Sequence, residues 1–391
     1  MKQTLLVCGL LSLFCFTECF IPADIMEKVI NKVDSKFSFD FGQVGKTYVH
    51  EEIAKRGIIR SVVKFFYDQE NGSTKIDLSK SDNEYQDLNN LYNAYYDKKY
   101  CKLSLDTVIS DEIQPNVALV DFDKKTKDFP YAHFDAETFV QSNQRVIDYT
   151  GYINEYLSKK DYKNARRLTG QILHTIQDFY SHSNWVEIGH SEINSLIGMN
   201  NFSTLPLVEV NQNFTCLDNC SKTEIGCGTF VTLVIGFIKF IGITTSISCP
   251  LTYYKCQGNI VELNKLVSGY YTGQKLEDDS EVLKPTGLYK CSHGGILDKS
   301  VFVPAQGGIN KDSGYYLFSP HANLHETAAK LAINHTEYFL SQIRARIGDS
   351  EFSNFLKILP DTSTQEICAG ISLRPFSIIF YLLIFALCKL F

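Results

Sequence analysis

The chain has 391 residues and a formal net charge of −6, so it carries no basic excess with which to track a nucleic-acid backbone, and nucleic acid is not favoured as a partner. Its length allows one large domain or two modest ones, and no internal repeat divides it. Twelve cysteines would be unusual in a reducing compartment and point to an oxidising one.

At the start, Met1 and Lys2 precede an apolar run from Leu5 to Phe16 that is too short to span a bilayer. It sits where the central region of a secretory signal belongs, so residues 1–20 are read as a signal peptide cleaved near Cys19 or Phe20. A helical domain is expected over 21–350. Glu51 to Tyr67 places Ile53, Gly57, Ile58, Val62 and Phe65 or Phe66 at helical spacing, and Thr138 to Leu157 repeats the pattern with Val140, Val146 and Ile147. Asn164 to Tyr180 continues it through Leu168, Ile172, Leu173 and Ile176, and Leu324 to Ile347 reads as a further amphipathic helix. The expected fold is therefore mainly α.

A cysteine-rich insertion interrupts the helices over about 214–294. It holds Cys216, Cys220, Cys227, Cys249, Cys256 and Cys291, with an apolar stretch from Thr229 to Ile243 that reads as a buried element or hairpin, a membrane span being the alternative. Neither Cys216-x3-Cys220 nor Cys220-x6-Cys227 joins a second CxxC pair, so disulfides are expected rather than zinc, with connectivity open. Cys101 and Cys368 bring the framework to eight. Sequons at Asn71, Asn201, Asn213, Asn219 and Asn334 suit the same compartment, since a glycan acceptor lies on an exposed surface. The long polar loop Lys290 to Gly314 is of a kind that tends to be either functional or poorly ordered.

Residues 351–370 are expected to form a stalk. In 371–391 the apolar Phe376–Cys388 follows the small residues Cys368-Ala369-Gly370 and a spacer with Arg374 and Pro375, the order of a glycosylphosphatidylinositol (GPI) attachment signal. A retained membrane helix, with Lys389 snorkelling at its end, is the alternative. Either makes the cell membrane a partner through a C-terminal anchor and places the protein at the cell surface; a buried helix is the third possibility.

The chemistry concentrates in His174-Thr-Ile-Gln-Asp178-Phe-Tyr-Ser-His182. Residues four apart share a helix face, so His174, Asp178 and His182 can point at one place, and imidazole with carboxylate suits zinc. A hydrogen-bonded helix face is the equal alternative for this segment alone. His321 and His325 repeat the spacing at the start of the last helix, where Pro320 suits the first turn and Glu326 can support a ligand. His50 opens an earlier helix and His133 precedes another. Any one of these is ordinarily structural; the joint pattern favours a zinc site.

The blocks AHFDAE, NARRLTGQILHTIQDFYSHSNW and a later HxxxH helix resemble the zinc-dependent phospholipases C and related zinc nucleases. TYVHEEIAKRGIIR, AHFDAETF, LHTIQDFYSHSNWVEIG, KCSHGGILD, GGINKDS and SPHANLHETAAKLA are more closely similar to the N-terminal, Het-C-like region of secreted von Willebrand factor A domain-containing proteins, over about residues 40–345. The resemblance implies a helical zinc phospholipase C-like domain in which His133, His174 and Asp178 hold one zinc and His182, His321 and His325 a second. His50, with Asp178 bridging, contributes to a third, and Asp121, or alternatively Asp123, is the catalytic base. The phospholipases also use a terminal tryptophan as ligand, whereas the one tryptophan here is Trp185. Two functions follow from the resemblance. One is a zinc-dependent phosphodiesterase acting on phospholipid; the other is a non-catalytic extracellular module stabilised by metal and disulfides. An open coordination position distinguishes the first from the second.

Overall fold

The computed structural model describes residues 42–70, 75–100, 102–226 and 250–360 and is mainly α. The signal peptide, the apolar stretch Thr229 to Ile243, Cys101, Cys227, Cys249, Cys368, Asn71 and the C-terminal anchor lie outside the described residues.

α1 (His50–Gln69) buries Ile53, Ile58, Val62, Phe65 and Phe66 along the stripe that their spacing dictates, and Glu51 and Glu52 sit favourably in its first turn. α2 (Leu88–Tyr96) is capped by Asp87, whose carboxylate accepts from the Asn89 amide. The chain then changes pitch twice, through α3 (Ser104–Thr107), a π-helical turn over Val108–Ile113 and α4 (Gln114–Leu119), with Pro115 in the first turn of α4. α5 (Phe139–Ser158) and α6 (Tyr162–His182) are joined by three residues, which makes them antiparallel neighbours.

α6 is the axis of the core. It packs against α4, α5 and α7 (His325–Leu356), and nearly every side chain from Ala165 to His182 is buried. A helix covered on all faces must be apolar or have its polar groups matched, so the histidines and aspartate on it are confined to partners within the protein. Two glycines set how closely the helices approach. A Cβ on Gly57 of α1 would lie 2.4 Å from Thr336 of α7, and one on Gly170 of α6 would lie 2.6 Å from the carbonyl oxygen of Ile113 in the π turn. Phe66, Phe134, Phe139, Phe179, Phe202 and Phe352 fill the spaces between helices, each contributing about 1.5–3 kcal/mol of apolar burial.

The four expected helices form with their ends moved by up to about a turn, and α7 is interrupted at Gly348, one residue past the expected Ile347. Three points differ from the sequence reading. The segment holding α2 to α4 is helical too. Pro320 precedes α7 by five residues rather than sitting in its first turn, because a single 3-10 turn over Ala322–Leu324 intervenes. The stalk does not begin at 351, since Phe352, Phe355, Leu356 and Ile358 are fully buried against the core; residues 361–370 lie outside the described ones.

The insertion is built differently. β1 (Ser221–Ile225) pairs antiparallel with β2 (Leu251–Lys255), Ser221 opposite Lys255, and the other described residues of the insertion are mostly loop with isolated bridges. Disulfides Cys216–Cys291 and Cys220–Cys256 staple it, resolving for these four cysteines the connectivity that spacing leaves open. It is joined to the core through Asn184, whose amide and side chain both bond the backbone of Val267, and through a buried Lys290–Glu137 ion pair of 2.8 Å. Asn201, Asn213, Asn219 and Asn334 are all exposed, as glycan acceptors need to be. Among the described residues, no helix is long and apolar enough to cross a membrane.

Candidate metal centre

His174, Asp178 and His182 project from one face of α6 into a cluster that also receives His50 from the start of α1, Asp121 from the turn after α4, and His133 and Asp135 from the loop before α5. Every one of these side chains is 2% exposed or less. The loop that delivers His133 and Asp135 is strained: Phe134, Ala136 and Glu137 all adopt φ between 49° and 60°, a region that costs a non-glycine residue about 1–3 kcal/mol. Bonds from the Ala136 amide to the Gly269 carbonyl (2.7 Å) and from the Glu137 amide to the Ser268 hydroxyl (2.8 Å) hold it there.

Hydrogen bonds at the far side of each ring fix which nitrogen faces inward. His174 Nδ1 donates to the Val117 carbonyl (2.9 Å), His182 Nδ1 to the His133 carbonyl (2.8 Å), His293 Nδ1 to the Gly294 carbonyl (3.0 Å), and His50 Nδ1 bonds Gln177 Oε1 (2.6 Å). A carbonyl can only accept, so Nδ1 carries a proton and Nε2 is the nitrogen turned to the cluster.

Two triangles of donor atoms result. In the first, His133 Nδ1, His174 Nε2 and Asp178 Oδ2 lie 2.9, 3.0 and 3.1 Å apart, and Asp121 Oδ1 stands 3.3 Å from His174 Nε2 and 3.8 Å from His133 Nδ1. In the second, His182 Nε2, His293 Nε2 and the Asp312 carboxylate are separated by 3.2, 3.0 and 3.4 Å. A tetrahedral zinc with ligands at about 2.0–2.1 Å has ligand-to-ligand edges of about 3.3 Å, so both triangles have the size of a zinc site. Asp178 lies between them: its Oδ2 belongs to the first triangle, and its Oδ1 is 3.0 Å from His50 Nε2 and 3.9 Å from His182 Nε2. Neither oxygen of Asp121, nor His133 Nε2, nor Asp135 Oδ1, has a hydrogen-bond partner among the described residues, which buried polar atoms rarely tolerate without an ion or water.

The carboxylates draw positive charge into the cluster, here as protons on its histidines. Burial alone would pull the His174 pKa down, but Asp121 and Asp178 outweigh it and raise it to about 10. Burial likewise disfavours charged His182, yet Asp135, Asp312 and Asp178 hold it well above its ordinary value. Burial would raise Asp178, and His174, His182 and His50 bring it well below the carboxylate range; Asp312 falls to about 2 against its own burial, through His182 and His293. The carboxylates make a strongly cation-favouring pocket in a region of low dielectric.

Three sequence candidates are placed elsewhere. His321 directs its two ring nitrogens at Glu187 (2.8 Å) and Asn259 (2.8 Å), in a buried network with Lys311. His325 bonds the Lys311 carbonyl through Nδ1 (2.5 Å) and accepts the Tyr48 amide at Nε2 (2.7 Å). The four-residue spacing misleads here because His321 lies before the 3-10 turn and shares no helical phase with His325. Asp123 accepts the Lys125 amide (3.0 Å) and faces a pocket on the outer side of its turn. Conversely, Asp135, His293 and Asp312 belong to the cluster, although each was visible only as a letter inside AHFDAE, KCSHGGILD or GGINKDS.

Access is narrow. A pocket of about 20 Å³, with room for about one water, reaches the cluster beside His50, Gln177, Ser181, Lys311 and Asp312, and His325 also lines it.

The sequence model of the VWA7 N-terminal domain family matches residues 86–235 and 238–353. Von Willebrand factor A domain-containing protein 7 of Rattus norvegicus is 33% identical over 276 residues, covering 70% of this chain and 26% of the relative. The protein of the same name from Homo sapiens is 34% identical over 256 residues, covering 64% and 24%. The chain thus spans about a quarter of the length of these curated relatives. No solved structure matches it.

Proposed function

This chain belongs to the VWA7 N-terminal domain family, and on that premise we propose that it is a non-catalytic extracellular module whose helical core and disulfide-bonded insertion are joined by two buried zinc centres. His133, His174, Asp178 and Asp121 would hold the first, a complete set of four donors. His182, His293 and Asp312 would hold the second, with His50 and Asp178 between the two. The observation that carries this reading is the pair of donor triangles with zinc-sized edges on either side of Asp178, which belongs to the first and lies 3.9 Å from His182 of the second, every donor being buried except the partly exposed Asp312. Metal binding to such a site contributes folding energy directly. The two disulfides and four exposed sequons support an extracellular setting, and the C-terminal tail would tether the module to the membrane as a GPI or helical anchor.

A second reading, a zinc-dependent phosphodiesterase acting on phospholipid, is favoured by one feature: the second centre has three donors, and its Asp312 borders the water-sized pocket. Bound zinc lowers the pKa of a coordinated water to about 7 and polarises a phosphoryl oxygen. Lys311 lines the same pocket and is paired with Glu187, so its charge would be available to orient a phosphate only if that pair opened. Asp121 suits the base position less well, since it faces His174 and His133 as a fourth donor.

Secreted full-length protein should contain about two equivalents of zinc by elemental analysis, melt at a lower temperature after chelation, and leave phosphatidylcholine and other phosphodiesters intact. Turnover that follows zinc content would replace the module by the enzyme. Full folding with no metal would defeat both readings.

A further inference from the structure

On the opposite side of the turn that carries Asp121, a pocket of about 540 Å³ opens between that turn, α5 and α6. This is within the usual range for a small-ligand site and far larger than the opening at the metal cluster. One wall is a ladder of tyrosines, Tyr149, Tyr152 and Tyr156, at positions i, i+3 and i+7 of α5, which puts them on one face over roughly 10 Å of helix. Lys125 and Arg167 face it from the turn and from α6.

The charge balance of the pocket favours an anion even though the chain as a whole is acidic. The two acids on its wall are engaged: Asp123 accepts the Lys125 amide, and Glu155 pairs with Lys159 at 2.6 Å. Lys125 and Arg167 make no ion pair among the described residues. Behind Tyr149 lies Arg145, only 8% exposed, whose guanidinium donates to the Tyr149 hydroxyl (3.1 Å) and to Thr175 (3.1 Å), sits 4.2 Å from the Tyr149 ring centroid, and has no carboxylate partner among the described residues. Its Nη2 has no hydrogen-bond partner among the described residues, although Arg145 itself stands behind the lining rather than in it.

The shape narrows the class further. Tyr149 and Tyr152 meet edge to face at 60° with centroids 6.2 Å apart, so they leave no parallel slot for a planar base. Three tyrosines spaced over about two sugar rings, on a wall that also carries Lys125 and Arg167 without ion pairs among the described residues, match a saccharide carrying sulfate or phosphate groups. We propose that the pocket between α5, α6 and the Asp121 turn is a binding site for an anionic sugar, with Tyr152 and Tyr156 stacking on its rings and Arg167 and Lys125 holding its anionic groups. The site is separate from the zinc centres and stands whether or not they fill.

Isothermal titration of the secreted, full-length protein with a sulfated heparin disaccharide, its unsulfated counterpart, glucose 6-phosphate and adenosine monophosphate tests this. The sulfated disaccharide should bind, the unsulfated one at least tenfold more weakly, and added salt should weaken binding. Arg167→Ala and Tyr152→Ala, both at exposed positions, should each weaken it at least tenfold while the melting temperature stays put. Glucose 6-phosphate binding as tightly as the disaccharide would assign phosphate, rather than sulfate, as the recognised group. No binding of any anionic sugar at millimolar concentration, tighter binding of adenosine monophosphate, or undiminished binding in both variants would each overturn the proposal.

Discussion

The helical core and the disulfide-bonded insertion hold themselves together by different means, and the candidate metal centres divide along the same line. In the core, α6 is locked by a continuous backbone ladder and by aromatic and aliphatic side chains on all sides, so His174 and Asp178 are placed by the helix itself. Among the described residues of the insertion, regular pairing is limited to β1 and β2, and position is set by the Cys216–Cys291 and Cys220–Cys256 links and the buried Lys290–Glu137 ion pair. The first centre is made wholly of core residues. The second takes His182 from α6 but His293 from two residues past the Cys216–Cys291 link, and Asp312 from the loop beyond. The lesson is that one centre reports on the core and the other on how the insertion is fastened to it.

Asp178→Ala should break both at once and gives the largest effect. Removing one member of a buried charge network typically costs about 3–5 kcal/mol, because the charges left behind stay buried. Elemental analysis should show both zinc equivalents gone, and the melting temperature should fall by on the order of 10 °C or more. Retention of a full equivalent in this variant would mean that Asp178 is not shared.

Replacing Cys216 and Cys291 together by serine separates the two centres. Loss of a disulfide in a secreted domain costs about 2–5 kcal/mol, and here the loss should loosen His293 while leaving His133, His174 and Asp178 on their core supports. The expected outcome is one zinc equivalent instead of two. Two retained equivalents would show that the insertion is fastened well enough without the link.

A titration in the core sharpens the contrast from the other side. His335 of α7 is wholly buried, its Nδ1 2.6 Å from the Tyr180 hydroxyl, and burial lowers its pKa to about 3. Because the folded pKa lies below the unfolded value near 6.5, the neutral ring favours folding fully above pH 6.5, and this contribution is lost as pH falls from 6.5 towards 3. The slope is about 1.4 kcal/mol per unit, so roughly 2 kcal/mol disappears between pH 6.5 and 5. Denaturant midpoints across that range should show His335→Gln with a shallower slope than the parent; equal slopes would place the acid sensitivity elsewhere.

The smallest effect is expected at Asp123. It faces the outer pocket and caps only a turn, so Asp123→Ala should change stability by no more than about 0.5 kcal/mol and leave zinc content unchanged. Zinc loss in that variant would revive its candidacy as a site residue.

Much of the core was legible because helical periodicity and burial are the same fact stated twice. α1, α5, α6 and most of α7 follow their apolar spacing. α2 was not legible, since LNNLYNAYY is rich in residues of weak helix propensity, and the π turn before α4 breaks the period that a helical reading looks for. In the site, the row on α6 could be read because one helix sets all three positions. His293, Asp312 and Asp135 could not, since only the folded chain brings the long loop and the strained turn around Phe134 against α6. His321 and His325 show the converse: correct spacing without a shared helix carries no geometry.

The row on α6 also bears on how sequences of this kind can change over generations. A deletion of one residue between His174 and His182 would turn everything beyond it by about 100° and shift it by about 1.5 Å, detaching one centre from the other in a single step. Substitutions along that stretch are graded in their effect, but changes of length are not. Between Cys220 and Cys256 the opposite holds, because a loop closed by a covalent link loses only about 0.6 kcal/mol for each doubling of its length. Insertions and deletions should therefore accumulate inside that loop and be absent from the helix, so that descendants differ in the size of the insertion while keeping the same count of residues from His174 to His182.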